Sequence, residues 1–491
     1  MVTRRSVLGA ALATTGAGLV TSAALTPVFS AREAAGAEHD GTAPAAIAAP
    51  PVEPFRVALP IPPVLTPVST AGGQDTYAIT MRPARKEIFR GLQTEVLTYN
   101  GAFPGPTIKA RSGRPVVIRH LNGLTMPASV HLHGASVPAD SDGDPMDTFA
   151  PGKSRTYTYP NKQPHASLWL HDHAHHMESE HVYRGLSASY LLTDDVEQRL
   201  GLPSGAYDIP IALRDAHFDG NGALVHIMDD VLGRNTILAN GKPQPYVAVA
   251  ARKYRFRLLN SSNMRFFRLR LADGGPITQI GSDGGLLPRP HPTDALMLSP
   301  AERIDVVIDF ARYPVGTKLV LENTLGPGTP EQVGQVLRFD VVRKESDPST
   351  VPSQLRTLPA LPAVTGERAI ELRMDEDGRE GAQGYVNGKI YDPNRIDVTV
   401  RHGSSEIWTV TNPNKQAPHN FHMHLVQFRV LERNGQQPDG SESGLKDTVR
   451  LLPGETVKVQ ATFNTYRGTY VYHCHMLDHS AMGMMAQMKI T

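Results

Sequence analysis

Cys474 is the only cysteine in the chain, and it lies in the run Tyr470-Val471-Tyr472-His473-Cys474-His475, with His479 and Met484 close behind. On a β-strand successive side chains point to opposite faces, so Cys474 faces one way and His473 and His475 the other. A thiolate followed by His479 and then Met484 supplies most of a Cys-His-His site with a weak axial thioether, the arrangement used for one-electron transfer at copper. The flanking imidazoles are then free to ligate different metal on the opposite face. A second ligand cluster is therefore expected elsewhere in the chain.

Three segments carry it: His131-Leu132-His133-Gly134, Trp169-Leu170-His171-Asp172-His173 and His419-Asn420-Phe421-His422-Met423-His424. A His-x-His pair on an extended segment puts both imidazoles on one face, which suits neighbouring metal ions. A lone His-x-His is commonly a surface pair, and a lone Cys commonly an inert buried hydrophobe. Ten of the twenty histidines fall in these four segments, and their matching spacing points jointly to copper, for which imidazole, thiolate and thioether are suitable ligands.

With these motifs stand Ser141-Asp142-Gly143-Asp144-Pro145, Leu168 before Trp169, and Tyr183-Arg184-Gly185-Leu186. Together they resemble the multicopper oxidases, in particular the bacterial branch of spore-coat laccase, phenoxazinone synthase and bilirubin oxidase. The resemblance implies three cupredoxin-like domains and four copper ions. It implies a type 1 copper on His419, Cys474, His479 and Met484, with Met485 the neighbour that could be mistaken for the axial ligand. A type 2 copper on His131 and His422 follows, and a type 3 pair on His133, His171, His173, His424, His473 and His475. Electrons from a small aromatic reductant would enter at the type 1 site and pass through Cys474 to His473 and His475, reducing dioxygen to water. Asp142 matches a family acid near the oxygen site and is the candidate proton relay; alternatively it only builds its turn.

One position departs from the family. Related laccases commonly carry an acid directly after the second imidazole of the entry copper, where this chain has Ser480. Serine cannot buffer protons near neutral pH, so Ser480→Glu is expected to raise turnover where oxygen reduction limits it. His175, His176 and His181 read as supporting or surface residues rather than a fifth metal site, and His120 and His165 as ordinary strand or loop residues.

An internal repeat organises the elements that must position these ligands. Asn100-Gly101, Asn240-Gly241 and Asn387-Gly388 each precede a strand ending in Asn122, Asn260 or Asn412. Asn-Gly is a strong tight-turn signal, and short alternating strands with regular turns predict all-β architecture, here three Greek-key β-sandwiches in series. The expected boundaries are 55–200, 201–346 and 363–491, with a Pro- and Ser-rich linker at 347–362. The middle copy has Leu319-Val320-Leu321-Glu322-Asn323-Thr324 where the others carry ligands, and it reads as a spacer.

Residues 1–37 read as a twin-arginine export signal. Thr3-Arg4-Arg5-Ser6 precedes a mildly apolar run, and Ala35-Gly36-Ala37 offers a cleavage site. Residues 38–54 read as a disordered lead-in. The expected location is periplasmic, cell-surface or extracellular, reached through the twin-arginine machinery, and the expected state is a monomer. A net charge of +1 without a basic run implies no nucleic-acid partner. One cysteine excludes an intramolecular disulfide. The stretch from Glu367 to Val400 holds only Met374, against the methionine-rich insert of cuprous-ion oxidases. Phenols or aromatic amines are the expected donors; a Cu(I) or Fe(II) oxidase, or a copper-tolerance protein, is the alternative.

Overall fold

The computed structural model describes residues 49–377 and 381–491; the segment read as an export signal and most of the expected lead-in lie outside them. Among the described residues no helix is long and apolar enough to cross a membrane.

Each third of the chain folds as a pair of sheets around its own apolar core. In the first, Asp75–Glu87 runs parallel to Val116–Asn122, and the facing sheet orders Ile108–Arg111, Ser187–Thr193, Ala166–Asp172 and Val130–His133. In the last, Gly366–Met374 runs parallel to Ser405–Thr411, and the facing sheet orders Val398–Val400, Met485–Ile490, Gly468–Cys474, His419–Met423 and Thr448–Leu451. The middle third repeats the scheme with Lys318–Asn323 beside Phe267–Leu271. Those two strands take the places that carry ligands in the other copies.

The repeat has a local cause. All three Asn-Gly pairs have positive φ at both residues, the type I′ geometry that matches strand twist. Each repeat asparagine then ties the same two loops with its amide. Asn122 Nδ2 donates to Met126 and Phe149 carbonyls, Asn260 Nδ2 to Arg265 and Leu298, and Asn412 Nδ2 to Ala417 and Leu451.

Two segments differ from the sequence reading. Ala49 and Val52, placed in a disordered lead-in, pack on the cluster containing Ile88 and Phe89, because their apolar side chains find a groove between the first and middle sandwiches. Leu59, assigned to the first domain, belongs to the middle core, and its N–H donates to the Tyr246 carbonyl. The 347–362 linker is a pinned strap: Asp347 accepts from Lys253, Leu355 is buried, and Arg356 pairs with Asp194.

Candidate metal centres

Strand register brings the candidate ligands together. His131 lies opposite His171 in the first sandwich, while Phe421 lies opposite Cys474 and His422 opposite His473 in the third. Two groups of donors result, on opposite faces of the Gly468–Cys474 strand.

On one face, Cys474 Sγ lies 3.9 Å from His419 Nδ1 and 3.8 Å from His479 Nδ1, and the two imidazole nitrogens are 3.1 Å apart. His479 is carried by the short helix Leu477–Ala481. Met484 N–H donates to the His479 carbonyl, and Cys474 N–H to the Met484 carbonyl. Met484 shares the core cluster of Cys474, whereas Met485 packs with Val471 and Tyr391 on the far side. Alternation along the last strand therefore favours Met484 as the thioether beside Cys474.

On the other face, His473 Nε2 is 3.3 Å from His173 Nε2, and His475 Nε2 is 3.1 Å from His133 Nδ1 and 3.4 Å from His171 Nε2. Imidazole donor atoms gather into three sets: His133, His171 and His475; His173, His424 and His473; and His131, His133 and His422; His131 and His424 also gather with Asp142. All eight imidazoles are buried. These are the ten histidines and the cysteine named from sequence, and the structure sorts them into the same two clusters.

The tautomers follow from the opposite nitrogens. His131, His171, His422 and His473 each hydrogen-bond a backbone carbonyl through Nδ1 (Asp142, Asp172, Asp447 and Cys474 respectively), and His424 Nδ1 bonds Asp142 Oδ2 at 2.7 Å. Their Nε2 atoms face inward. His133 and His419 are reversed, with Nε2 held by Asp447 Oδ1 and Asn414 Oδ1 and Nδ1 inward. Lone pairs thus converge on lone pairs, and Nε2 of His131, His422 and His424 has no protein partner despite full burial. A shared cation satisfies that arrangement, so the residues fit copper ions.

Burial holds His171 down at about 3 and His479 at about 4, which keeps the imidazoles in the neutral, metal-binding form. It pushes the Cys474 thiol up to about 12, so thiolate forms there together with metal binding. Burial also raises the Asp142 carboxyl well above the usual range; Asp142 is a partner of two ligands and more than a turn residue.

The comparisons agree with this geometry. Two family models, both described as Multicopper oxidase, match residues 81–196 and 363–491. A laccase of Bacillus subtilis is 36% identical over 513 residues, covering 90% of this chain and 99% of its own. The chain belongs to the multicopper oxidases. A bilirubin oxidase of Albifimbria verrucaria is 37% identical over 469 residues, covering 89% of this chain and 81% of its own. The solved laccase of Pediococcus acidilactici superposes with TM-score 0.83 at 33% identity, covering 91% of this chain and 95% of that one. The fold of this multicopper oxidase is accordingly all-β and cupredoxin-like, and copper is its metal.

Several partners in this multicopper oxidase have no signal in the ligand motifs. Asp447 bonds His133 and, through its carbonyl, His422. Asn420 Oδ1 accepts from the His475 N–H and lies 3.6 Å from Cys474 Sγ; only its place inside the third motif could have drawn attention. Ser480 Oγ faces Glu178 Oε1 at 3.4 Å, both buried, so an acid does stand at that place, delivered by the first sandwich. His165, read as ordinary, is buried and contacts Arg255 and Arg257. His120 is buried among Tyr99 and Tyr157, and His181 Nδ1 lies 3.2 Å from Asp172 Oδ1. These histidines are internal because neighbouring rings or charges enclose them.

A cleft of about 470 Å³ between the middle and third sandwiches reaches His479. Its walls include Met264, Phe266, Met374, Pro418 and Met476.

Proposed function

We propose that this protein is a laccase-type oxidase, taking single electrons from phenols or aromatic amines at the cleft and reducing dioxygen to water at the histidine cluster. The carrying observation is that Cys474 belongs to one donor group while its chain neighbours His473 and His475 belong to the other. The laccase and bilirubin oxidase relatives support the same reading.

Four copper ions fit the donor sets: a type 1 ion held by His419, Cys474, His479 and Met484, a type 2 ion by His131 and His422, and a type 3 pair by the remaining six imidazoles. When bound, copper supplies one-electron oxidation at the first site and multi-electron reduction of dioxygen at the second. The protein's own contributions are distinct. His479 forms part of the cleft wall, so a flat apolar donor reaches an imidazole edge without entering the core. The fixed tautomers leave little reorganisation when metal binds. Asp142, buried against His424 and His131, is placed to hold a proton beside the cluster.

Oxygen uptake by copper-loaded protein with a dimethoxyphenol donor tests this. Rapid uptake without released peroxide is expected. A second reading, a metal-ion oxidase, is favoured by one observation: Met264, Met374 and Met476 converge on the cleft with Glu376, although only Met374 lies between Glu367 and Val400. Uptake with Cu(I) but not with the phenol would select it.

Export by the twin-arginine route, to the periplasm, cell surface or medium, is part of the same proposal. It rests on Arg4 and Arg5. Loss of exported protein on R4K/R5K substitution is the test, and sedimentation checks the expected monomer.

A further inference from the structure

Among the described residues the middle sandwich contributes none of the clustered metal donors, yet one of its side chains reaches the aspartate beside the histidine cluster. Arg303, at the start of the strand Arg303–Asp309, is buried. Its guanidinium donates to Asp447 Oδ1 at 2.7 Å and Oδ2 at 2.5 Å, and to the carbonyls of Ser167, Ala301 and Asp283 at 2.8, 3.0 and 3.2 Å. Ser167 belongs to the first sandwich and Asp447 to the third, so this one group joins all three. The planar fork of arginine matches a carboxylate bidentately, which fixes the orientation of Asp447 as well as its charge.

Asp447 in turn holds two inward-facing imidazoles. Its Oδ1 accepts from His133 Nε2 at 2.9 Å, and its carbonyl accepts from His422 Nδ1 at 2.8 Å. Gln427 Nε2 and Thr448 Oγ1 complete the carboxylate's bonds at 2.7 and 3.0 Å. Asp142 makes a similar pair of contacts to His131 and His424 but, among the described residues, has no arginine or lysine ion pair. The two aspartates are therefore built differently, and only Asp447 is clamped.

The ligand motif is shaped around that clamp. Gly134 follows His133 with φ +83, and a Cβ there would lie 2.5 Å from Arg303 Nη2 and 2.6 Å from Asp447 Oδ2. No side chain fits between the motif and the ion pair without displacing one of them. The glycine of His131-Leu132-His133-Gly134 is thus required by a residue 169 positions away.

We propose that Arg303 is a positioning residue for the histidine cluster: by clamping Asp447 it sets which nitrogen of His133 faces the metal and how His422 is aimed. The inference rests on the proposed oxidase reading for its consequences, but the geometry it claims exists in the metal-free chain.

The test compares wild type, R303Q, R303K and G134A as full-length protein. In the copper-loaded forms, R303Q and G134A are expected to bind copper at the histidine cluster about 10–100-fold more weakly, with an altered paramagnetic signal there and an unchanged blue absorption from the Cys474 site. R303K, which keeps the charge but not the fork, is expected to fall between. In metal-free protein labelled with ¹⁵N-histidine, His133 is expected to shift from Nε2–H towards a tautomer mixture in R303Q. A wild-type His133 signal and copper count in R303Q would overturn the proposal. So would equal losses at both copper sites, which would make the clamp merely structural. Failure of wild type itself to consume oxygen would count against the oxidase reading while leaving the nitrogen spectra to decide on Arg303.

Discussion

Arg234 Nη2 meets Asp478 Oδ2 at 2.8 Å with both side chains fully buried, locking the middle sandwich to the helix that carries His479. Asp478 also accepts from Ser179 Oγ, Asn263 Nδ2 and the Asp229 N–H. Removing one partner of such a pair strands a buried charge, at a cost of about 3–5 kcal/mol. Asp478→Ala is expected to lower the unfolding free energy by that order, bringing the denaturation midpoint down, and to bleach the blue absorption with it. Chemical unfolding followed by absorbance checks both, and an unchanged midpoint would refute the role given to the pair.

Glu178 gives a stability slope. Burial, with repulsion from Asp172, pushes its carboxyl up to about 8 from 4.5, and no cation offsets it. The folded state therefore holds a proton that the unfolded state has released between those values. Stability from this group is complete below about 4.5 and is lost as pH rises towards about 8, by roughly 5 kcal/mol in all. Glu178→Gln is expected to flatten the fall in melting temperature over that window, measured on metal-free protein.

The same contact revises the expectation for Ser480→Glu. A new carboxyl at 480 would be forced beside Glu178, and two buried carboxylates in contact cannot both ionise. The single substitution is expected to melt lower than wild type, and S480E/E178Q to recover. Any gain in turnover belongs to the double variant, read by oxygen uptake at saturating donor.

Met484 and Met485 are separable by potential. Met484→Gln places a harder oxygen donor beside Cys474 and is expected to lower the reduction potential of the blue site, since the axial ligand tunes it. Met485→Leu, on the opposite face, is expected to leave it unchanged. Potentiometric titration of the blue band distinguishes them; equal shifts would mean the axial assignment is wrong.

Asp142→Asn keeps the shape of the turn but removes the carboxylate that holds His424 Nδ1. Oxygen uptake is expected to fall about 10–100-fold with the blue absorption retained. Loss of the blue band instead would place Asp142 in general stability.

Much of this was legible in the sequence because metal sites are written in local spacing. Alternation on a strand puts His473 and His475 opposite Cys474 whatever the rest of the chain does, and His-x-His pairs share a face for the same reason. The Asn-Gly turns announced the repeat, since few residues other than glycine and asparagine tolerate positive φ twice in succession. The sequence by itself therefore determined the clustered donor residues, the metal implied by the family and the repeated all-β scheme.

Only the tertiary structure decided how those ligands are held. Arg303 and Asp447 are 144 positions apart, and Glu178 and Ser480 are 302 apart, with no periodicity linking either pair. A charge in a strand of the middle sandwich looks like any solvated charge until three sandwiches close over it and desolvation obliges it to find a partner. The ligandless middle copy reads as a spacer in one dimension. In three dimensions its arginines hold the carboxylates that flank both donor groups, Arg303 on Asp447 and Arg234 on Asp478, because the interface that joins the donor-bearing sandwiches is the interface it closes.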